Sequence, residues 1–269
     1  MESRPNWLPK GVDLEVPSAA RCYDYYLGGA HNFAVDRELA RNVEAAVPNV
    51  RDLAQNNRAF LRRVVRYLLD KGVRQFLDIG SGIPTAGNVH EIAQQVDPGA
   101  RVVYVDNEPV AVAHAETILD GNDNAEVVHA DVADVPGVLD SPQVRRLLDF
   151  DQPVGVLMIA LLHFVPDSKR PQEIIGAYHD RMAPGSYLGV SHATCDHHPE
   201  SLRSIIDLYK NSSNPVVSRT RQEVVDLMSR FELVEPGVVY VPSWHPDTDE
   251  DVWEEPERSI VYGVLGRKI

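Results

Sequence analysis

Three aspartates and one glycine turn carry the most legible chemistry in this chain. Phe76-Leu77-Asp78-Ile79 reads as a buried strand running directly into Gly80-Ser81-Gly82. A turn with two residues lacking Cβ lets a ligand approach the backbone at the carboxyl edge of a sheet. Asp106 closes the next apolar run, Arg101 to Val105, where a carboxylate can accept both hydroxyls of a ribose. The same carboxylate equally suits the positive end of a helix starting near Asn107 to Pro109. Asp131 repeats the pattern after a third strand. There it can receive an adenine amino group together with the Val132 backbone, or serve as an ordinary loop cap.

Two nucleotide-like ligands compete for such a turn. A dinucleotide fingerprint needs a third glycine at position 85, where the chain has Thr85 beside Pro84, and that glycine allows close helix packing around a pyrophosphate. Asp78 would repel a pyrophosphate and attract an amine. A nicotinamide-dependent oxidoreductase is therefore the rival reading, and a cofactor with a cationic amine the favoured one.

Other residues could act on a second substrate. His163 follows Leu162 at the end of a fourth strand, and a histidine there can take a proton, pack on a cofactor or stay structural. Tyr23 and Tyr26 lie three apart and could share a helix face over the pocket, with Asp24, His31 and Phe33 nearby, or simply dock the segment. Arg58 opens a cluster with Arg62, Arg63 and Arg66 that reads as a solvent-facing helix stripe or one wall of a groove. His192, Cys195, His197 and His198 include zinc-ligand types without a zinc-finger spacing. Acceptor contacts or a solvated loop are the other readings, and no metal is expected.

The elements that must position these groups alternate in type. A proline- and charge-rich arm over 1–17 precedes a helix at Ala19 to Leu27, capped by Ser18 and stopped at Gly28-Gly29, then helices over 36–46 and 52–70. Strands are expected at Gln75 to Ile79, Arg101 to Val105, Ala125 to His129, Pro153 to Leu161 and Ser186 to Ser191, with helices from the glycine turn to Val96, at Pro109 to Leu119 and over 170–182. A helix at Arg221 to Arg230, a bent strand over Phe231 to Val241 and a last strand within Arg258 to Arg267 follow. The pattern predicts an α/β fold with a seven-stranded, mostly parallel sheet, an antiparallel last strand and an N-terminal helical extension. Residues 1–70 are expected to form an arm and helical lid within the same domain as a 71–269 core. The acidic stretch Asp247 to Glu257 reads as a mobile surface loop.

Composition narrows the partners. Forty acidic against 26 basic residues give a net charge of -14, which disfavours nucleic acid and anionic membranes. Two cysteines make no disulfide scaffold, and no apolar run reaches the roughly 18 residues a membrane span needs. A cytoplasmic monomer or homodimer acting on a small molecule is the expectation.

Asp78-Ile79-Gly80-Ser81-Gly82, Asp106, Asp131 and Ala183-Pro184-Gly185 resemble the Rossmann-like class I S-adenosylmethionine-dependent methyltransferases. More narrowly, the chain resembles the actinobacterial methyltransferase-like family once classed as a domain of unknown function. Carrying that resemblance are Pro17 to Arg21, Tyr23 to Gly29, Asn32 to Arg37, Asn57 to Leu61, Pro84-Thr85, Asn88 to Glu91 and Leu162-His163-Phe164. It implies S-adenosyl-L-methionine as cofactor and S-adenosyl-L-homocysteine as product. It places the methionine part at Asp78 and Gly80 to Gly82, the ribose at Asp106 beside Asn107, and the adenine at Asp131 and Val132, with Leu162 and His163 lining the transfer site. No acceptor comes with it. A cofactor-binding protein with little catalysis is the other function that such a pocket allows.

Overall fold

The computed structural model describes residues 9, 12–84, 87–248 and 252–269. Thr85, the start of the arm and the centre of the acidic loop lie outside the described residues.

Helices α1 (Ala19–Tyr26), α2 (Ala34–Ala46) and α3 (Val50–Asp70) lead into β1 (Gln75–Ile79). Then come α4 (Val89–Val96), β2 (Arg101–Asp106), α5 (Pro109–Ile118), β3 (Ala125–His129), α6 (Val135–Leu139), α7 (Pro142–Leu147) and β4 (Gly155–Met158). The chain continues through α8 (Pro171–Arg181), β5 (Tyr187–Ala193), α9 (Pro199–Tyr209), α10 (Arg221–Leu227), β6 (Glu232–Leu233), β7 (Val239–Tyr240) and β8 (Val261–Arg267).

The strands form one sheet in the order β3-β2-β1-β4-β5-β8-β6, with β7 also on β8. Strands β1 to β5 pair in parallel and β8 runs antiparallel to β5. This is the expected Rossmann-like α/β architecture. Eight strands replace seven because the bend at Glu235-Pro236-Gly237 cuts one expected strand into β6 and β7, both on β8. The buried faces of β1, β4 and β5 have no polar alternation, as a sheet covered on both sides requires.

Among the described residues three large apolar cores result, beside a small fourth cluster of Val12, Ile83, Val110 and Ala111. One packs Leu77, Val103, Met158 and Val190 beneath α6, α7, α8 and α10. A second packs Phe76, Val102 and Leu157 against α3, α4 and α5. The third is built from α1, α2, the start of α3 and α9, and sits on Ala193 and Ile260 at one end of the sheet. It forms a cap over the carboxyl edges of the strands. Helix α9 is absent from the sequence reading, although Leu202, Ile205, Ile206 and Tyr209 follow Pro199 at helical spacing.

Three local expectations change. The helix after the glycine turn starts only at Val89, because Asn88 and Glu91 form its capping box after a loop. Ser18 has the backbone angles of an N-cap, but its side chain makes no cap bond and its N–H donates instead to Asp36 Oδ1. The arginine cluster is no single stripe. Arg63 is buried and donates to the Val241 and Trp244 carbonyls, whereas Arg66 meets Asp247 at the surface. Among the described residues, no helix is long and apolar enough to cross a membrane.

The cap is tied to the sheet by a buried charge cluster. Arg21, 2% exposed, pairs with Asp36 at 2.8 Å and Glu108 at 3.3 Å, and donates to the Asp13 and Val16 carbonyls. Removing one partner of a buried pair leaves the other charge uncompensated, at about 3–5 kcal/mol. Arg21→Met is therefore expected to lower unfolding stability by about 3 kcal/mol or more in urea denaturation. A loss below about 1 kcal/mol would show that water or rearrangement satisfies Asp36 and Glu108 without Arg21.

Candidate cofactor and acceptor site

The site begins where β1 ends. Gly80 has φ +70°, and a Cβ on it would lie 2.6 Å from Leu161 Cδ1. Only glycine therefore allows the segment after β4 to close on this turn. The turn stays bonded to β2, because the Gly80 and Ser81 N–H groups both donate to the Val105 carbonyl. Asp106 then holds the far side: Oδ2 accepts Gly82 N–H at 2.7 Å and Oδ1 accepts Glu108 N–H at 2.8 Å.

The segment after β4 is fixed by a hydrogen-bond chain. Ala160 adopts the left-handed backbone, φ +55°, and its N–H donates to Ser191 Oγ at 2.8 Å. Ser191 donates to Asn57 Oδ1, Asn57 to the Tyr23 hydroxyl, and Tyr23 to the Ala54 carbonyl. One neutral chain thus links β4, β5, α3 and α1.

These elements enclose a cavity of about 510 Å³, within the range of small-molecule sites. Asp78, Gly80, Ser81, Gly82, Asp106, Asn107, Asp131, Val132 and His163 all line it, as do Arg58, Tyr23 and Tyr26. Five other candidates stand elsewhere. Asp24 wraps the turn after α1, accepting the His31 N–H and the Asn32 amide, and leaves no room for a Cβ on Gly29. His31 is exposed and stacks on His114 at 3.7 Å. Phe33 packs with Val12, Ile83, Val110 and Ala111, beneath the Arg21 guanidinium. Leu162 is fully buried in a sheet-face core, and its neighbour Leu161 lines the cavity instead.

His192 is also buried away from the cavity lining. Its Nδ1 bonds the Ala193 carbonyl and its Nε2 accepts from Arg219 Nη1 at 2.8 Å. That pattern fixes the neutral Nδ1–H tautomer. Burial first, and then Arg219, pushes its pKa down to about 3. His197 bonds the Tyr240 hydroxyl, and among the described residues no group of three or more His, Cys, Asp or Glu could hold a metal ion.

The sequence reading did not include several of the groups that complete the wall. Leu202, Ile205 and Tyr209 enter from α9, and Asn214 to Val216 from the loop after it. That loop is joined to the N-terminal segment, since Ser213 N–H donates to the Pro17 carbonyl and Ala19 N–H to Asn214 Oδ1.

The cavity's carboxylates differ in state. Burial raises the Asp78 pKa to about 7, nearby Arg58 opposes the rise and Asp106 adds to it. Asp106 is likewise raised by burial, against its backbone N–H donors. Burial works the same way on Asp131, yet the Ala133 N–H and Lys169 hold it below its ordinary value. His163 is pushed well below the usual histidine range, mainly by burial and further by His192 and Arg219. No described protein group hydrogen-bonds its ring, and Nδ1 is buried without a partner.

A mostly parallel sheet with a reversed last strand and a glycine turn opposite acidic strand ends is a Rossmann-like α/β arrangement, which binds its ligands outside the carboxyl ends of the strands. The model of the S-adenosyl methyltransferase family matches residues 5–269, and the chain belongs to that family. A crystal structure from Thermobifida fusca YX, named for a proposed methyltransferase, is similar at 39% identity and a TM-score of 0.90, over 98% of this chain and 99% of that one. A DUF574 family protein from Streptomyces avermitilis MA-4680 is 36% identical, with a TM-score of 0.91, over 96% and 99% of the two chains. Human N-acetylserotonin methyltransferase, solved with its cofactor, shares the fold at 16% identity and a TM-score of 0.51, over 92% of this chain and 66% of that one. No curated protein matches the sequence. The cofactor is S-adenosylmethionine.

The raised Asp78 pKa has a signed consequence for stability. Unfolded, an aspartate releases its proton near 3.8; folded, Asp78 keeps it to about 7. The native state binds more protons across that window, so this group's contribution falls as pH rises through it. Asp78→Asn, neutral at every pH, should unfold at higher urea than the wild type at pH 8, with the gap closing toward pH 5. An equal gap at both pH values would show that Asp78 is already ionised at pH 5.

Proposed function

We propose that this protein transfers a methyl group from S-adenosylmethionine to a small-molecule acceptor enclosed between the strand ends and the helical cap. The observation that carries the reading is the single cavity volume shared by the glycine turn, the three aspartates and the cap residues. Asp78 and Arg58 both line the cavity, close enough for the guanidinium to act on the carboxyl, and match the amine and carboxylate of the methionine part. Asp106 keeps lone pairs beyond its two backbone donors and takes the ribose hydroxyls. Asp131, Asn107 and Val132 line the same cavity and are assigned to the adenine.

Bound cofactor supplies an electrophilic methyl carbon on a sulfonium that departs as a neutral thioether. The protein's part is then to align an acceptor atom behind that carbon and to exclude water. Helices α1 and α9 do both by covering the strand ends. A hydroxyl acceptor must also lose a proton, and it becomes strongly acidic as the methyl bond forms. His163, neutral and without a protein hydrogen bond on its ring, can take that proton despite its lowered pKa.

The net charge of -14 disfavours a nucleic-acid substrate, which would need a basic approach. A cytoplasmic location agrees with the two unpaired cysteines.

Two measurements test the reading. Asp106→Ala should weaken S-adenosylhomocysteine binding by about 2 kcal/mol, some thirtyfold, through lost charge-assisted hydrogen bonds. Unchanged affinity by calorimetry on a folded variant would remove Asp106 from the site. Incubation with methyl-labelled cofactor and cell extract should label the low-molecular-weight fraction and release S-adenosylhomocysteine. Label confined to protein or nucleic acid would overturn the acceptor class, and binding without any turnover would favour a cofactor-binding role.

A further inference from the structure

The charged side chains of the cavity are not spread over its wall. Asp78, Asp106, Glu108, Asp131, Lys169 and Arg58 are its charged lining residues. The first four lie at or just beyond the ends of β1, β2 and β3; Lys169 is paired with Asp131, and Arg58 acts on Asp78. In the strand order β3-β2-β1-β4-β5-β8, that is one side of the sheet. The other side, over β4, β5 and β8, is lined without a single charge among the described residues.

There the wall is Leu53, Tyr26, Leu202, Ile205, Tyr209 and Val216, above Ala193 and Ile260. Most of these residues also belong to the cap core. The polar groups among them are neutral and occupied. The Tyr26 and Tyr209 hydroxyls face each other at 3.5 Å, and Tyr23 and Asn57 are consumed by the chain from Ser191 to Ala54.

We infer that this chamber binds the acceptor, and that the acceptor is an uncharged, predominantly apolar molecule bearing a hydroxyl. The inference rests on the methyltransferase reading and names the substrate class for its site. A carboxylate or ammonium buried here would find no counter-charge, since the charged lining residues, Arg58 and Lys169 with the four carboxylates, stand at the other side of the cavity, and an unpaired buried charge is strongly disfavoured. An apolar body meets only apolar and aromatic surface. The hydroxyl faces His163, which lines the cavity after β4, between the charged and the uncharged halves. In the reaction the acceptor O–CH3 bond forms as the sulfonium S–CH3 bond breaks. The hydroxyl proton passes to His163 and then to solvent, and the sulfur keeps the bonding electrons.

The test compares three probes of one shape on the full-length protein saturated with S-adenosylhomocysteine. These are 2-naphthol, 2-naphthoate and the 2-naphthylmethylammonium ion, titrated calorimetrically at pH 7. The naphthol should bind at least about tenfold more tightly than either charged analogue. Half-buried Ile205 on α9 supplies the control. Ile205→Glu should abolish naphthol binding while leaving S-adenosylhomocysteine affinity within about twofold, and Ile205→Leu should retain both. A charged probe that matches the naphthol, a naphthol that fails to bind the cofactor-loaded protein, or unaltered naphthol binding in Ile205→Glu would each overturn the acceptor class. Failure of S-adenosylhomocysteine itself to bind would instead overturn the cofactor site beneath it.

Discussion

The structure depends on a guanidinium that is almost completely withdrawn from water. Arg21 is shared between Asp36 at the start of α2 and Glu108 at the start of α5, and its remaining donor holds the backbone of 13–16. Asp36 is fully engaged as well, accepting the Ser18 and Phe33 N–H groups. Glu108 lies two residues from Asp106 and donates its own N–H to that carboxylate. The cap and the strand end that carries Asp106 are thus joined through one cluster. A buried ion group of this kind is weak evidence of stability over an apolar alternative, but it tolerates only one arrangement of its members. It therefore sets where α1 and α2 stand relative to the strand ends, and with them Tyr23 and Tyr26.

Much of the core could be read directly from the sequence. The ranges of β1 and β3 follow from their apolar runs and the mostly parallel sheet from the alternation of strands with helices, and the three aspartates come together because each ends or follows a parallel strand. What escaped depends on which partner occupies a side chain, near or far in sequence. His192 looks like a pocket or metal residue until Arg219 is seen occupying its Nε2. Asp24 resembles an acceptor contact until it is seen folded around Gly29. The omission of α9 is of another kind, since its apolar spacing was present and the polar His197-His198-Pro199-Glu200 lead-in masked it. The late start of α4 is again a matter of chemistry, as Asn88 and Glu91 supply a capping box that outweighs continuation from the turn.

The two halves of the cavity are not independent, because the segment after β4 belongs to both. Leu161 presses on Gly80 on one side, while His163 and Phe164 face the cap on the other. Its geometry is imposed from β5 and beyond. Ser191 holds Ala160 in a backbone region that alanine rarely occupies, and Arg219 donates to the Leu162 and Val165 carbonyls and pairs with Asp167. Burial is what chiefly keeps His163 uncharged, and His192 and then Arg219, the cation that fixes this backbone, add to it. A charged imidazole would have a proton to give and no lone pair to receive one. The packing that buries this segment therefore also favours the neutral imidazole that the proposed proton-acceptor role of His163 requires.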